Sequence, residues 1–561
     1  MSKKPLYNAN DVAKYLSKAP DFVNHYISDL EKQISNLSNI GLALSKEKDM
    51  SKLLEMILLE AKRIANSDGG TLYMMTDDER LRFEIMMTDS LDFHMGGTSG
   101  KDIPFYPIKL YKDDGKPNES MIAAFVALTG QTVNIKDAYE AKGFDFSGTK
   151  MFDEKTGYRS KSFLTVPLKN HEDEIIGVLQ LLNAQSSEKE KIISFSKKVQ
   201  EMVEALASQA AVAITNKNLI RDLENLFESF IKLLASAIDA KSPYTGGHCA
   251  RVPEITMMLA EAVHNTKSGP FANFKMTEKE MYELKIAAWL HDCGKVATPE
   301  FVVDKSTKLE TIYDRVQEVE TRFVVLHRDA EIKKLNNELK IERNKSLSSD
   351  QKQKEINKLN IEFEKTIEQL KIDENFVKES NIGGEFMSPD KKDRINEISK
   401  YQWQPNGEMK NFLTENELYN LTIPKGTLTP EERKVINDHI VITIKMLDEL
   451  PYPKHLKNIP EFAGGHHEKM DGTGYPKGLT KDEMSVQARI MAIADIFEAL
   501  TARDRPYKKG NTLSQAMRIL GFMRDDAHID ADLYNIFVEQ KVYMKYAKEF
   551  LDPEQLDEVK I

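Results

Sequence analysis

Five histidines and two aspartates of this 561-residue chain stand where burial would be costly unless each bound something. His291 and Asp292, in Leu290-His291-Asp292-Cys293-Gly294-Lys295, follow the apolar, helix-like stretch from Leu284 to Trp289, so an imidazole and a carboxylate fall side by side in apolar surroundings. A cation would offset that cost. His466 and His467 precede a loop with Gly472, Gly474, Tyr475 and Pro476, which joins two neutral-nitrogen ligands to backbone able to approach a ligand closely. Asp495 interrupts an apolar helix face of Ala492, Ile493, Ile496 and Phe497 and needs a partner. His248, in TGGHCARV, and His439, in EERKVINDHIVI, lie at helix-like positions. Singly, each is explained by a satisfied core residue; assembled, they read as a mixed nitrogen and oxygen ligand set for divalent cations.

Several elements must position them. Residues 1–44 read as a helical segment, and 45–202 as a mixed α/β unit with hairpin strands TLYMMT and LRFEIMMT and later strands in KSFLTVPL and IIGVLQLLN. Residues 203–240 read as a connecting helix, in which Leu219, Leu223, Leu226, Phe230, Leu233 and Ala237 recur at coiled-coil spacing and favour a parallel dimer. The ligand candidates all fall in 241–540, an all-α region, and 541–561 reads as a tail. Within it, stripes at Ile312, Val316, Val319, Phe323, Leu326 and Ala330, and at Ile356, Leu359, Phe363, Ile367 and Leu370, flank a reversal at KSLSSD and predict an antiparallel helical hairpin. The hairpin accounts for the long gap between His291 and His439, with 305–420 as an inserted subdomain.

Composition narrows the function. Hydrophobic residues at 41% and charged residues at 30% suit folded domains, and the net charge of −11 argues against a whole-chain nucleic-acid footprint while leaving room for a local pocket for a small anion. No run approaches the ~18 apolar residues of a membrane span, and the start carries no secretory pattern, so a cytoplasmic protein without a membrane partner is expected. Cys249 and Cys293 are expected as buried thiols.

The region 40–216, through TGYRSKSFLTVPL and IIGVLQLLN, resembles a GAF domain, a sensory fold. Asn183 and Phe195 match the signature of nucleotide-binding members, whereas Ala184 does not, so the resemblance implies a sensory domain with an unknown ligand. From about 225 to 540, the ordered series of His248 with Arg251, HDCGK, His439 after GTLTPEER, HHEKMDGTGYPKGL, and Asp495 followed by RPYK resembles the HD-GYP family of metal-dependent phosphohydrolases. That resemblance implies one metal on His248, His291, Asp292 and Asp495, and a second on His439, His466, His467 and the shared Asp292. Iron or manganese is favoured, with zinc, nickel and magnesium also compatible. Tyr244 replaces the glutamate that supports a third metal in some relatives, so a binuclear site is expected. The implied activity is hydrolysis of cyclic di-GMP to linear pGpG and on to GMP. Lys295 would meet the phosphate, and Tyr475, Arg505 and Lys508 would bind substrate. A receptor that binds the dinucleotide without cleaving it, and a phosphodiesterase for cyclic GMP-AMP, are the alternatives. A homodimer through the GAF domain and connecting helix is the expected assembly.

Overall fold

The alternating stretches on either side of Asp78 pair as a β-hairpin because their apolar residues fall on opposite faces in turn. The computed structural model describes residues 21–186, 191–241, 247–384, 386–503 and 510–560. Two units divide the chain, Met1–Leu226 and Phe227–Ile561.

In the first unit, helices α1 (Asp21–Lys46) and α2 (Met50–Ala65) precede strands β1 (Ser67–Met75), β2 (Arg80–Thr88), β3 (Phe93–Gly96) and β4 (Ile108–Lys109). Helix α3 (Ile122–Thr129), strand β5 (Val133–Ile135), helix α4 (Ser147–Thr156), strands β6 (Phe163–Lys169), β7 (Ile175–Gln185) and β8 (Ile192–Ile193), and helix α5 (Lys197–Lys241) follow. The sheet runs β3-β2-β1-β7-β6-β5, antiparallel throughout. Leu72, Ile85, Leu164 and Leu179 bury one face against Ile57 and Leu58 of α2 and Leu206 and Ala210 of α5. Their chain neighbours Tyr73, Phe163 and Val178 bury the other face with Val126 of α3. The period-2 pattern thus feeds two separate cores. Asn183 lies in β7 with φ +54°; its side-chain oxygen accepts the Lys161 and Ser162 N–H groups at 2.7 and 3.3 Å, and its amide donates to the Arg159 carbonyl at 2.8 Å. Phe195 is core. Both residues that match the nucleotide signature are therefore engaged in holding the sheet together.

In the second unit, the end of α5 buries Ile231, Ala235 and Ile238. Helices α6 (His248–Asn265) and α7 (Glu278–Leu290), a 3₁₀ turn at Cys293–Ala297, and α8 (Glu300–Val303) come next. The intervening segment holds α9 (Val316–Arg343), α10 (Ser349–Ile382), α11 (Pro389–Ser399), the short strands β9 (Gln402–Trp403) and β10 (Lys410–Asn411), and α12 (Glu415–Leu421). Then follow α13 (Pro430–Asp448), α14 (Ile459–Gly464), α15 (Val486–Thr501), α16 (Leu513–Asp525), α17 (Ala531–Glu539) and α18 (Val542–Phe550). Leu259, Leu284, Ile286, Ile493, Phe497 and Phe537 weld α6, α7, α15 and α17 into one core. Residues 542–550, expected as tail, belong to this core through Tyr543, Tyr546 and Ala547.

The intervening segment has its own core of Val319, Phe323, Leu370, Val377, Ile395 and Phe412. Helices α9 and α10 form an antiparallel hairpin whose turn is closed by a Ser348–Gln351 capping box. Ile312 drops out of the predicted stripe: the helix starts only at Val316, because the Asp314 carboxylate accepts the Val316 N–H at 3.0 Å and forces a turn that leaves Ile312 95% exposed. The segment's two ends meet, since Thr427 donates to the Lys305 carbonyl at 3.0 Å and the Lys305 ammonium sits on Glu432 at 2.8 Å. Joining its ends in this way lets a long excursion leave the surrounding core unchanged.

Candidate metal centre

Each candidate ligand stands at a helix end or one buried helix face. His248 opens α6, and His291 and Asp292 leave the end of α7. His439 lies inside α13, His466 and His467 follow α14, and Asp495 lies inside α15. The packing of these helices brings the seven side chains together: Asp292, His439, His466 and His467 offer one atom each within 4.8 Å of one another, and so do His248, His291 and Asp495.

The two groups share Asp292. Its Oδ1 lies 3.2 Å from His439 Nε2, whereas its Oδ2 lies 3.3 Å from Nε2 of both His248 and His291. Asp495 Oδ1 closes the second group at 3.3 Å from His248 and 3.7 Å from His291. Three imidazoles are locked in the same way. The Nδ1–H groups of His291, His439 and His466 donate to the carbonyls of Ala288, Ile436 and Ala463, each three residues back. In the neutral ring this leaves Nε2 as a lone pair.

Those lone pairs decide whether a cation fits. Asp292 Oδ1, His439 Nε2 and His466 Nε2 are buried and have no hydrogen-bond partner. Two acceptors 3.2 Å apart, Asp292 Oδ1 and His439 Nε2, face each other across the site. Such an arrangement is repulsive unless a positive charge lies between them. The donor set therefore fits a pair of divalent cations with mixed imidazole and carboxylate ligands.

Electrostatics agree. Burial works to raise the Asp292 carboxyl, but the charges of Lys295 and His291 hold it well below the usual carboxylate range. Asp495 is likewise held down, by hydrogen bonds from His248 and His291 that outweigh burial. Burial pushes His467 down to about 4 and lowers His466 too, so both are neutral ligands at neutral pH. His248 and His291 go the other way. Burial opposes the shift, yet Glu498, Asp292 and Asp495 raise His248 well above its ordinary value, and Asp292 and Asp495 raise His291 to about 9.

The surrounding residues explain the motif's less obvious members. Gly294 donates its N–H to Thr443 at 2.9 Å, and a Cβ there would meet the His439 carbonyl at 2.0 Å, so only glycine lets the turn lie against α13. The Glu468 carboxylate, 1% exposed, accepts the N–H groups of Lys477 and Leu479 at 2.7 and 2.9 Å and folds the Gly-rich loop back. That places the Tyr475 ring over His467, with centroids 4.9 Å apart. Beside them opens a cavity of about 390 Å³ lined by His467, Lys469, Tyr475, Asp495, Ile519, Met523 and His528. Glu498, fully buried, bonds His248 Nδ1 with one oxygen and Arg251 with the other at 2.7 Å. Neither Glu498 nor Glu468 was expected to serve the site, although Glu498 falls one turn after Asp495 on the same helix face.

Lys295 sits on Asp292 Oδ2 at 2.5 Å. Arg505, Lys508 and Tyr244 lie outside the described residues. Cys249 and Cys293 are buried free thiols; burial pushes Cys293 to about 11, which suits packing. Among the described residues no other group of metal-ligating side chains is found.

Residues 49–214 match the family model of the GAF domain, and residues 415–533 that of the HD domain. The chain carries a GAF domain and an HD domain. The HD match begins at the last helix of the intervening segment, so His248, His291 and Asp292 lie ahead of the matched span. Among curated proteins, the chain is similar to a 3'3'-cGAMP-specific phosphodiesterase 3 of Vibrio cholerae, 38% identical over 19% of this chain and 22% of the relative. It is also similar to a cyclic di-GMP phosphodiesterase of Thermotoga maritima, 34% identical over 24% of this chain and 33% of the relative. A third, a cyclic di-GMP phosphodiesterase of Pseudomonas aeruginosa, is 42% identical over 20% of this chain and 26% of the relative. The chain thus spans about a fifth to a third of the length of these relatives. A solved GAF domain from an Acinetobacter phosphoenolpyruvate-protein phosphotransferase aligns over 34% of this chain and 98% of its own, at 14% identity and a TM-score of 0.25. No helix among the described residues is long and apolar enough to cross a membrane.

Proposed function

We propose that this protein is a cytoplasmic phosphodiesterase that hydrolyses cyclic di-GMP to linear pGpG and then to GMP at a binuclear divalent-metal centre, under control of its GAF domain. The observation that carries the reading is the split of Asp292, with one oxygen turned to each group of imidazoles. In this reading His248, His291, Asp292 and Asp495 hold one ion, and His439, His466, His467 and Asp292 the other. Iron or manganese suits the donors best. The names of the relatives support the substrate class.

Bound divalent cations supply Lewis acidity, which activates water and offsets negative charge on a phosphodiester. The chain's residues do the rest. Glu498 fixes the ring of His248, and the backbone carbonyls of Ala288, Ile436 and Ala463 fix three more. Lys295 holds an ammonium beside the shared carboxylate, where it can pass to a nonbridging phosphate oxygen as substrate arrives. The cavity beside Tyr475 is lined by apolar Ile519 and Met523 and by polar Lys469 and His528, a mixture that suits a nucleobase and its ribose. Leu219, Leu223, Leu226, Phe230 and Leu233 of α5 are each more than half exposed, as a helix that pairs with a second copy requires.

The test is a cleavage assay on protein loaded anaerobically with Fe²⁺ or Mn²⁺. Conversion of cyclic di-GMP to pGpG is expected, abolished by Asp292→Ala; intact substrate after metal loading sinks the reading. Because one of the relatives is named for cyclic GMP-AMP, 3'3'-cGAMP belongs in the same assay, and faster turnover of it would change the assigned substrate.

A further inference from the structure

Two side chains on the last turn of α5 serve two of the elements that bring ligands to the centre. Lys241 Nζ donates to the carbonyls of Val296 and Thr298 at 2.5 and 2.7 Å, and to that of Lys295 at 3.3 Å. These carbonyls lie at the end of the 3₁₀ turn Cys293–Ala297, which follows Asp292 and carries Lys295; the last carbonyls of a helical turn need partners from outside it, and that of Lys295 also accepts the Thr298 N–H at 3.1 Å. Two residues earlier, the Asp239 carboxylate accepts the N–H of Gly247 at 3.0 Å and that of Cys249 at 3.5 Å. Those groups open α6, at whose first position stands His248. Gly247 has φ +87°, and a Cβ there would meet Arg251 Nη1 at 2.7 Å, so glycine is what lets the chain present its N–H to Asp239. A cation thus caps the carbonyl end of one ligand-bearing element, and an anion caps the amide end of the other, each with the sign that the backbone dipoles favour. Both caps sit on one turn of one helix.

We propose that Lys241 and Asp239 are positioning residues of the metal centre, which set His248 against Asp292 by fixing the start of α6 and the turn after α7 to the same point of α5. Neither touches a candidate ligand side chain, so they act through backbone placement. The inference rests on the binuclear reading of the site, but not on the identity of the substrate.

The test compares full-length wild type with Lys241→Met, Lys241→Arg and Asp239→Asn, each titrated with Mn²⁺ and assayed with cyclic di-GMP. Loss of an indirect positioning contact lowers metal affinity or turnover by roughly 10–100-fold. Lys241→Met and Asp239→Asn should weaken binding of one Mn²⁺ by about tenfold, within that range, and lower kcat with KM little changed. Lys241→Arg, which keeps the donor, should restore both. If Lys241→Met and Asp239→Asn, folded at the assay temperature, bind two Mn²⁺ with wild-type affinity, the two residues are only fold-stabilising caps and the proposal fails. If wild type binds two Mn²⁺ yet cleaves no cyclic dinucleotide, the functional reading fails, while the Mn²⁺ titration still decides this one.

Discussion

Two buried acids of the GAF domain and one of the second unit, Asp292, are treated in opposite ways. In the GAF domain, Asp153 accepts from the Tyr139 hydroxyl and from the N–H and hydroxyl of Ser160, while Asp68 accepts from Ser90, Tyr158 and Gln185. Neutral donors satisfy these acids, and nothing is left over for a ligand. In the second unit, Asp292 Oδ1 faces an imidazole lone pair and has no donor at all. A buried acid whose acceptors are matched by the protein is a strut; one whose acceptor is left open marks a ligand that the protein was built around.

The strongest way to break this contrast is to exchange charge for amide at each acid. Asp292→Asn should abolish binding of at least one ion and lower turnover by on the order of 10²–10³-fold or more, as measured by metal content and product formation. Retention of two ions would mean that Asp292 is a strut as well. Glu498→Gln keeps the size of the side chain that orients His248 and weakens its hold; a fall of roughly 10–100-fold in metal affinity is expected from a Mn²⁺ titration, with the fold intact by circular dichroism.

Protons sharpen the contrast. In the metal-free protein His248 and His291 have raised pKa values, that of His291 about 9, so both are protonated at pH 7 and must lose the proton to bind a metal. Metal binding should therefore release protons, and affinity should climb by about tenfold per pH unit for each proton released, the contribution of His291 levelling off above pH 9. Calorimetry in two buffers of different ionisation heat reads this directly; uptake without proton release refutes it. The smallest effect is expected in the GAF domain. Asp153→Asn should cost about 1–3 kcal/mol of stability in a denaturant titration and leave metal content unchanged.

Much of the centre was legible because ligand chemistry restricts residue type. Imidazoles and acids embedded in apolar helices announce themselves, as His291, Asp292 and Asp495 do. Glu468 was hidden because its role, collecting the N–H groups of Lys477 and Leu479, exists only once the loop has folded back. Glu498 was half visible, one turn beyond Asp495. Asn183 misled in a different way: it matches a ligand-binding signature, yet its three bonds all go to backbone of residues 159–162. The apolar stripe at Ile312 extended one turn too far because periodicity does not register the turn that Asp314 imposes.

The sequence alone determined which side chains could hold cations, where the main helical and strand stretches fall, apart from the turn at Ile312 and the helix Val542–Phe550, and that a long segment separates His291 from His439, because these follow from residue chemistry and local periodicity. Tertiary structure alone decided that Asp292 turns one oxygen to each imidazole group, that the ends of the long segment close at Lys305 and Thr427, and that one turn of α5 caps two ligand-bearing elements. Those facts depend on distances between residues far apart in the chain, which only the packing of the helices sets.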